Sequence, residues 1–261
     1  MDARPAEAAK PFRLLDLPAE LRLRIYEHAL TAPDKTIRIY YSYQQHRTNP
    51  NLSLPLLRTC RQIHAEARDI LCTENTVFVH ADVHRLGNPV IGASQLPPAA
   101  LSRLRRLFVV LDLLNASQLS YDAADFRPFQ AMVRLRHLRI AAVDEQLPPP
   151  PPSPSSTGQQ QHRDSSGCTR LLSRLIERVP ARCALDYAAG TAAERAFVAP
   201  WCSAAAPYRG APAVAEVPRD VLVRAAAYSQ AVRGCKSGDG ADWRLDPDAA
   251  AADPLDEVRT W

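Results

Sequence analysis

Apolar residues first recur with a helical period. Leu14 to Leu30 predicts a helix with its entry turn. Pro18 suits the first helical turn, where its missing N–H costs nothing, Glu20 lies in the acid-favouring first turn, and Pro33 marks the region past the end. The period changes to two over Thr36 to Tyr43, where Ile37, Ile39, Tyr41 and Tyr43 alternate and predict a strand. Asn49-Pro50-Asn51 reads as a loop. Pro55 to Leu71 predicts a second helix, and Val77, Phe78 and Val79 a strand over Thr76 to His80. A recurrent unit follows. Leu104, Leu107 and Val109 fit L-x-x-L-x-aliphatic, as do Leu135, Leu138 and Ile140, 31 residues later. A helix is expected before each, around 98–105 and 126–134, and a strand within each, Leu107 to Leu111 and Leu138 to Val143. A third, degenerate unit places a helix at Thr169 to Val179 and a strand at Cys183 to Tyr187. Two more helices are expected near Ala192 to Ala199 and Arg219 to Val232.

On a helical wheel, Leu21, Leu23, Ile25, Tyr26, Ala29 and Leu30 fill one broad arc of the first helix, with Arg22 in its middle. A guanidinium facing a core must be paired or must reach the surface. In the second helix the apolar stripe runs through Leu56, Leu57, Cys60, Ile63, Ala67, Ile70 and Leu71. His64 lies inside it, and Glu66 and Arg68 lie on its margins. Each helix carries Glu-x-Arg, as Glu20-Leu21-Arg22 and Glu66-Ala67-Arg68. A cross-pair between the helices is expected, with Arg22 to Glu66 the first choice and Glu20 and Arg68 the remaining members.

The helix-then-strand repeat predicts an α/β (mixed α+β) protein whose body is an irregular, leucine-rich-repeat-like array of parallel strands. The expected organisation is a flexible arm over 1–11, a helix–strand–helix–strand module over 12–80, a body over 81–233 and a flexible acidic tail over 234–261. The segment 147–168 opens with five consecutive prolines at 148–152 and continues in Ser, Thr and Gln. It predicts a disordered insertion.

Composition narrows the function classes. The chain has 261 residues, 46% of them hydrophobic and 23% charged, enough for a packed core. The first ten residues lack the apolar region of a signal peptide. The densest apolar run, Leu107 to Leu114, is far short of the roughly 20 residues a bilayer span needs. A soluble cytoplasmic or nuclear protein is expected, with no membrane partner. Six scattered cysteines without a C-x-x-C pair read as reduced thiols. The net charge of +4 comes from residues 1–150, with 19 basic against 15 acidic residues. Within 103–139, Arg103, Arg105 and Arg106 cluster, as do Arg134, Arg136 and Arg139. They offer a face for an acidic partner. Aromatic residues are too sparse there for single-strand stacking, so nucleic acid is the less favoured partner.

No catalytic constellation stands out. His64-Ala65-Glu66 has the H-x-E form of zinc deaminases without a following P-C-x-x-C. Cys60 and His64 are one turn apart but fall in the apolar stripe, which predicts core packing. His80 and His84 lack a third ligand. Phosphate-loop, dinucleotide and nucleophile-elbow motifs do not occur. Asp242, Asp246 and Asp248 lack EF-hand spacing. A non-enzymatic protein with no metal and no cofactor is expected.

The N-terminal motifs add a family resemblance. Leu14-Leu15-Asp16-Leu17-Pro18-Ala19-Glu20-Leu21-Arg22, continuing to Ile25-Tyr26-Glu27, resembles the opening of fungal F-box-like proteins. The stretch Leu57 to Ala67 and Thr73 to Phe78 resembles their second conserved block. The two Glu-x-Arg motifs are similar to the fungal group called two-EXR, close to a fungal domain of unknown function. The resemblance covers about residues 12–80. It implies F-box-like helices that bind the Skp-type adaptor of a cullin–RING ubiquitin ligase, with a C-terminal body that holds a substrate protein. On that implication Leu14, Leu15, Leu17, Pro18, Leu21 and Ile25 form the adaptor surface. The alternatives are a stand-alone scaffold without a ubiquitin link and an arginine-rich nucleic-acid binder.

Overall fold

The computed structural model describes residues 13–39, 51–83, 89–93, 96–113, 123–143, 166–217 and 222. The expected arm, the end of the first strand with Tyr41 and Tyr43, most of the insertion, the helix over 219–232 apart from Leu222, and the tail lie outside them.

A 3-10 turn at Leu14–Asp16 leads into α1 (Ala19–Leu30), with Pro18 at the N-cap. Strand β1 (Thr36–Ile39) follows. A second 3-10 turn, Leu54–Arg58, precedes α2 (Arg61–Glu74), which runs directly into β2 (Thr76–Asp82). The predicted helix over Pro55 to Leu71 is therefore broken. Pro55 is the second residue of the 3-10 turn, Cys60 is fully extended at φ −155°, and its Sγ accepts from the Ile63 N–H, so the helix proper starts at Arg61.

The body continues with α3 (Pro98–Leu101), β3 (Arg106–Asp112), α4 (Arg127–Gln130) and β4 (His137–Val143). It ends in α5 (Ser166–Arg178), β5 (Ala184–Ala189), α6 (Ala192–Arg209) and β6 (Val214–Glu216). The helices expected around 98–105 and 126–134 are single turns. Each starts at a proline-assisted first turn, and within a few residues the chain must drop Leu104 or Leu135 into the core, where both are fully buried. Helix α5 starts inside the predicted insertion, at Ser166. Helix α6 runs ten residues past the expected end, through Pro200 and Pro207. Its start is held by a capping box between Thr191 and Glu194, and buried Val198 and Cys202 hold its inner face in the core.

The six strands form one parallel sheet in chain order, β1-β2-β3-β4-β5-β6. Right-handed crossovers in such an order all fall on one face. That face carries Ile37, Val77, Val79, Leu107, Val109, Leu138, Ile140 and Leu185, packed with Phe129, Met132, Leu171, Leu175 and Val198 from the crossovers. The 31-residue repeat lands in register, with Leu107 opposite Leu138 and Val109 opposite Ile140. The opposite face holds a row in strand register: Arg38, Phe78, Phe108, Arg139 and Asp186. Phe78 and Phe108 meet edge to face at 5.2 Å.

Helices α1 and α2 form a second apolar cluster from Tyr26, Leu30, Ile63, Ala67 and Ile70. It is tied to the sheet by Asn75, the fully buried residue between α2 and β2. Asn75 Oδ1 accepts from the Ala32 N–H at 2.8 Å, and its Nδ2 donates to the Leu30 carbonyl at 2.9 Å and the Leu71 carbonyl at 3.0 Å. One side chain thus closes the end of α1, the last turn of α2 and the entry to β2.

Candidate functional site: an exposed apolar ridge on a pinned helix pair

The apolar arc of α1 divides into two faces. Tyr26 and Leu30 are fully buried against α2. Leu21, Leu23 and Ile25 are not in the core, although the wheel placed them in the same arc. Leu21 is 46% exposed, Ile25 40% and Leu15 40%. Leu21 and Ile25 are one turn apart and share a ridge. Pro18 is exposed beside them, whereas Leu14 and Leu17 are half-buried. The helix period identifies an apolar arc but not its division, because a helix packed on only one neighbour covers about half of so wide an arc.

Arg22 fixes the orientation of this ridge. Its Nε donates to Glu66 Oε2 at 3.0 Å and its Nη2 to Oε1 at 2.7 Å, a bidentate pair between α1 and α2. Its Nη1 donates to the Leu17 carbonyl at 2.6 Å, which draws the entry turn onto α1. Glu66 also accepts from the Tyr26 hydroxyl at 3.1 Å and from Gln62 Nε2 at 3.0 Å. Hydrogen bonding from Arg22, and next from Gln62, holds the Glu66 carboxyl at about 2, below the usual carboxylate range. Burial, reinforced by the hydrogen bond to Glu66, pushes the Tyr26 hydroxyl up. Glu20 and Arg68 are not brought together. Glu20 is exposed in the first turn of α1, and Arg68 approaches Asp69 at 3.9 Å.

Cys60 and His64 are both exposed, not packed in the core. Cys60 lies in the extended break ahead of α2, while Leu56 and Leu57 of the preceding turn stay packed on the α1–α2 cluster, and His64 Nδ1 lies 2.9 Å from the Leu57 carbonyl. Of the other described thiols, Cys72, Cys183 and Cys202 are buried. Burial pushes all three up, Cys183 and Cys202 to about 12. Native-state alkylation followed by peptide mass mapping should therefore modify Cys60 before these three, which react only on unfolding. Equal labelling rates for Cys60 and Cys183 would contradict this packing. Among the described residues no group of three or more His, Cys, Asp or Glu could hold a metal ion, and His84 lies outside them.

The six arginines expected on one acidic-partner face separate into three settings. Arg103 lies 3.2 Å from Asp69. Arg106 and Arg139 border a cavity of about 270 Å³ with Asp34, Thr76, His137 and Asp186; Arg139 lies 5.9 Å from the Phe108 ring centre. Arg105, Arg134 and Arg136 line a separate cavity with Arg182, a residue the sequence pattern did not single out. The alternation of side chains along a strand explains the split: Arg105 and Arg106 are neighbours in the chain and point to opposite sides.

The helix pair presents an exposed apolar ridge and runs into the single parallel sheet of an α/β protein. Residues 2–83 match the family of the F-box-like domain. No curated protein and no solved structure matches the chain. No described helix is long and apolar enough to cross a membrane.

Proposed function

We propose that this chain is a non-enzymatic protein-interaction protein whose F-box-like helices dock a Skp-type adaptor of a cullin–RING ubiquitin ligase, while the sheet body holds a substrate protein. The fungal two-EXR group is the subfamily its Glu-x-Arg motifs favour, and the 31-residue repeat favours a leucine-rich-repeat-like body. The observation that carries the reading is the exposure of Leu15, Leu21 and Ile25. These are the residues an F-box-like opening would use, and α2 leaves them uncovered. An apolar ridge of this kind, set on a helix whose other face is locked by Arg22 and Tyr26, suits helix-to-helix docking.

The test is co-purification with the organism's own Skp-type adaptor. Wild-type chain should form a stoichiometric complex, and Leu21→Asp plus Ile25→Asp should abolish it. Both side chains are exposed, so the variant should keep the wild-type circular dichroism and melting temperature. Failure of the wild-type chain to bind at micromolar concentration would leave the helix pair a packing element of a scaffold.

A further inference from the structure

We propose that the arginine-lined cavity at the start of β3, β4 and β5 binds a phosphate monoester, carried on a phosphorylated side chain or on a small phosphate compound. The cavity measures about 250 Å³ and is lined by Arg105, Arg134, Arg136 and Arg182. Sheet register builds it. Arg105 and Arg136 each stand one residue before the paired positions Arg106 and His137, so parallel strands about 4.8 Å apart set them side by side. The Arg105 carbonyl accepts from the Arg136 N–H at 2.8 Å, and the Arg136 carbonyl accepts from the Ala184 N–H at 2.7 Å, which fixes both backbones. Buried Leu135 separates Arg134 from Arg136, so both of these arginines point outward. Arg182 reaches across from the turn before β5, with Nη2 donating to the Val133 carbonyl at 2.6 Å.

Positive charge collects here without an equivalent negative charge. Arg105 and Arg136 make no side-chain hydrogen bond or ion pair among the described residues. The carboxylate of Asp69 is 4.0 Å from Arg134 and is already shared with Arg103 at 3.2 Å and Arg68 at 3.9 Å. Each guanidinium offers a fork of N–H donors, and one bonded nitrogen on Arg182 leaves the rest unspent. Four forks converging on one small cavity match a compact dianion. A nucleic-acid backbone spreads single charges along a groove and is helped by stacking aromatics, which this cavity lacks. A monoester concentrates nearly two charges on one group, with a second ionisation near pH 6.

The site is independent of adaptor docking, so the two readings fail separately. Calorimetric titration of the full chain with phosphoserine should show saturable binding. Dimethyl phosphate, a singly charged diester, should show none at matched ionic strength. Binding should weaken from pH 7.5 to pH 5 as the phosphate takes up a proton. Arg105→Gln plus Arg136→Gln should weaken it by at least about tenfold. Arg58→Gln plus Arg61→Gln, which removes the same charge beside Cys60, should leave it within about twofold, as should Leu21→Asp plus Ile25→Asp. A short phosphoserine peptide that outcompetes inorganic phosphate identifies a protein segment as the source; the reverse order identifies a small compound. The proposal is overturned by absence of phosphoserine binding at millimolar concentration, by equal binding of dimethyl phosphate, by equal loss in the Arg58 and Arg61 variant, or by tighter binding of single-stranded RNA than of any monoester.

Discussion

Asn75→Ala should lower the free energy of unfolding by about 3–5 kcal/mol, measured by urea denaturation of the full chain. The substitution leaves the Ala32 N–H and the Leu30 carbonyl buried without the partner they have now, and removes the bond to the Leu71 carbonyl. An orphaned buried group costs roughly 1–3 kcal/mol, and the lost side-chain volume adds to it. The loss should come with a lower midpoint and an unchanged slope, because the amount of surface exposed on unfolding stays the same. A loss below about 1 kcal/mol would mean that water or a backbone shift replaces the amide, and that the staple between helix pair and sheet is not rigid.

The second large effect concerns the pair that holds the ridge. Arg22→Glu and Glu66→Arg should each lower the melting temperature by several degrees, since each puts like charges at the crossing of α1 and α2. The double exchange should recover part of the loss and not all of it. A carboxylate at position 22 cannot donate to the Leu17 carbonyl as the Nη1 of Arg22 does, and a guanidinium at position 66 cannot accept from the Tyr26 hydroxyl. No recovery at all would show that the helices are held by their apolar contacts alone.

The same pair has a pH signature. The Glu66 carboxyl sits at about 2 in the folded chain against an ordinary 4.5. A depressed folded value means its stabilisation is complete above about 4.5 and is lost as the pH falls toward 2. The difference in melting temperature between wild type and Glu66→Gln should be largest at neutral pH and close below about pH 3. A gap independent of pH would assign the effect of the substitution to packing.

Much of this architecture is legible in the sequence because its causes are local. The short apolar runs at Thr76 to His80, Leu107 to Leu111 and Leu138 to Val143 locate three of the strands to within two residues. Arg22 in the middle of an apolar arc requires a partner, and Glu66 on the margin of the facing stripe is in position to be one. The features that escape local reading depend on distant neighbours. Asn75 looks like an ordinary helix-end residue, yet two of its three bonds cross more than 40 residues. Arg182 is a lone arginine in the sequence and meets Arg105 only because the sheet keeps its strands in chain order. The three-residue β6 is too short for a period to show, and it forms because β5 offers an open edge. The division of the α1 arc depends on how much surface α2 covers, which no single-helix pattern contains.

The unbroken sheet makes the molecule a ruler. Strands β1 and β2 lie within the stretch that matches the F-box-like domain and continue the same hydrogen-bonded ladder as β3 to β5, so among the described residues no hinge separates the ridge at Leu21 from the cavity at Arg105. A partner docked on the proposed ridge would be held at a set distance and bearing from a phosphate bound in the proposed cavity. That reach can change only by gaining or losing a whole strand with its crossover, in steps of about 4.8 Å. A lengthened loop would leave it unaltered.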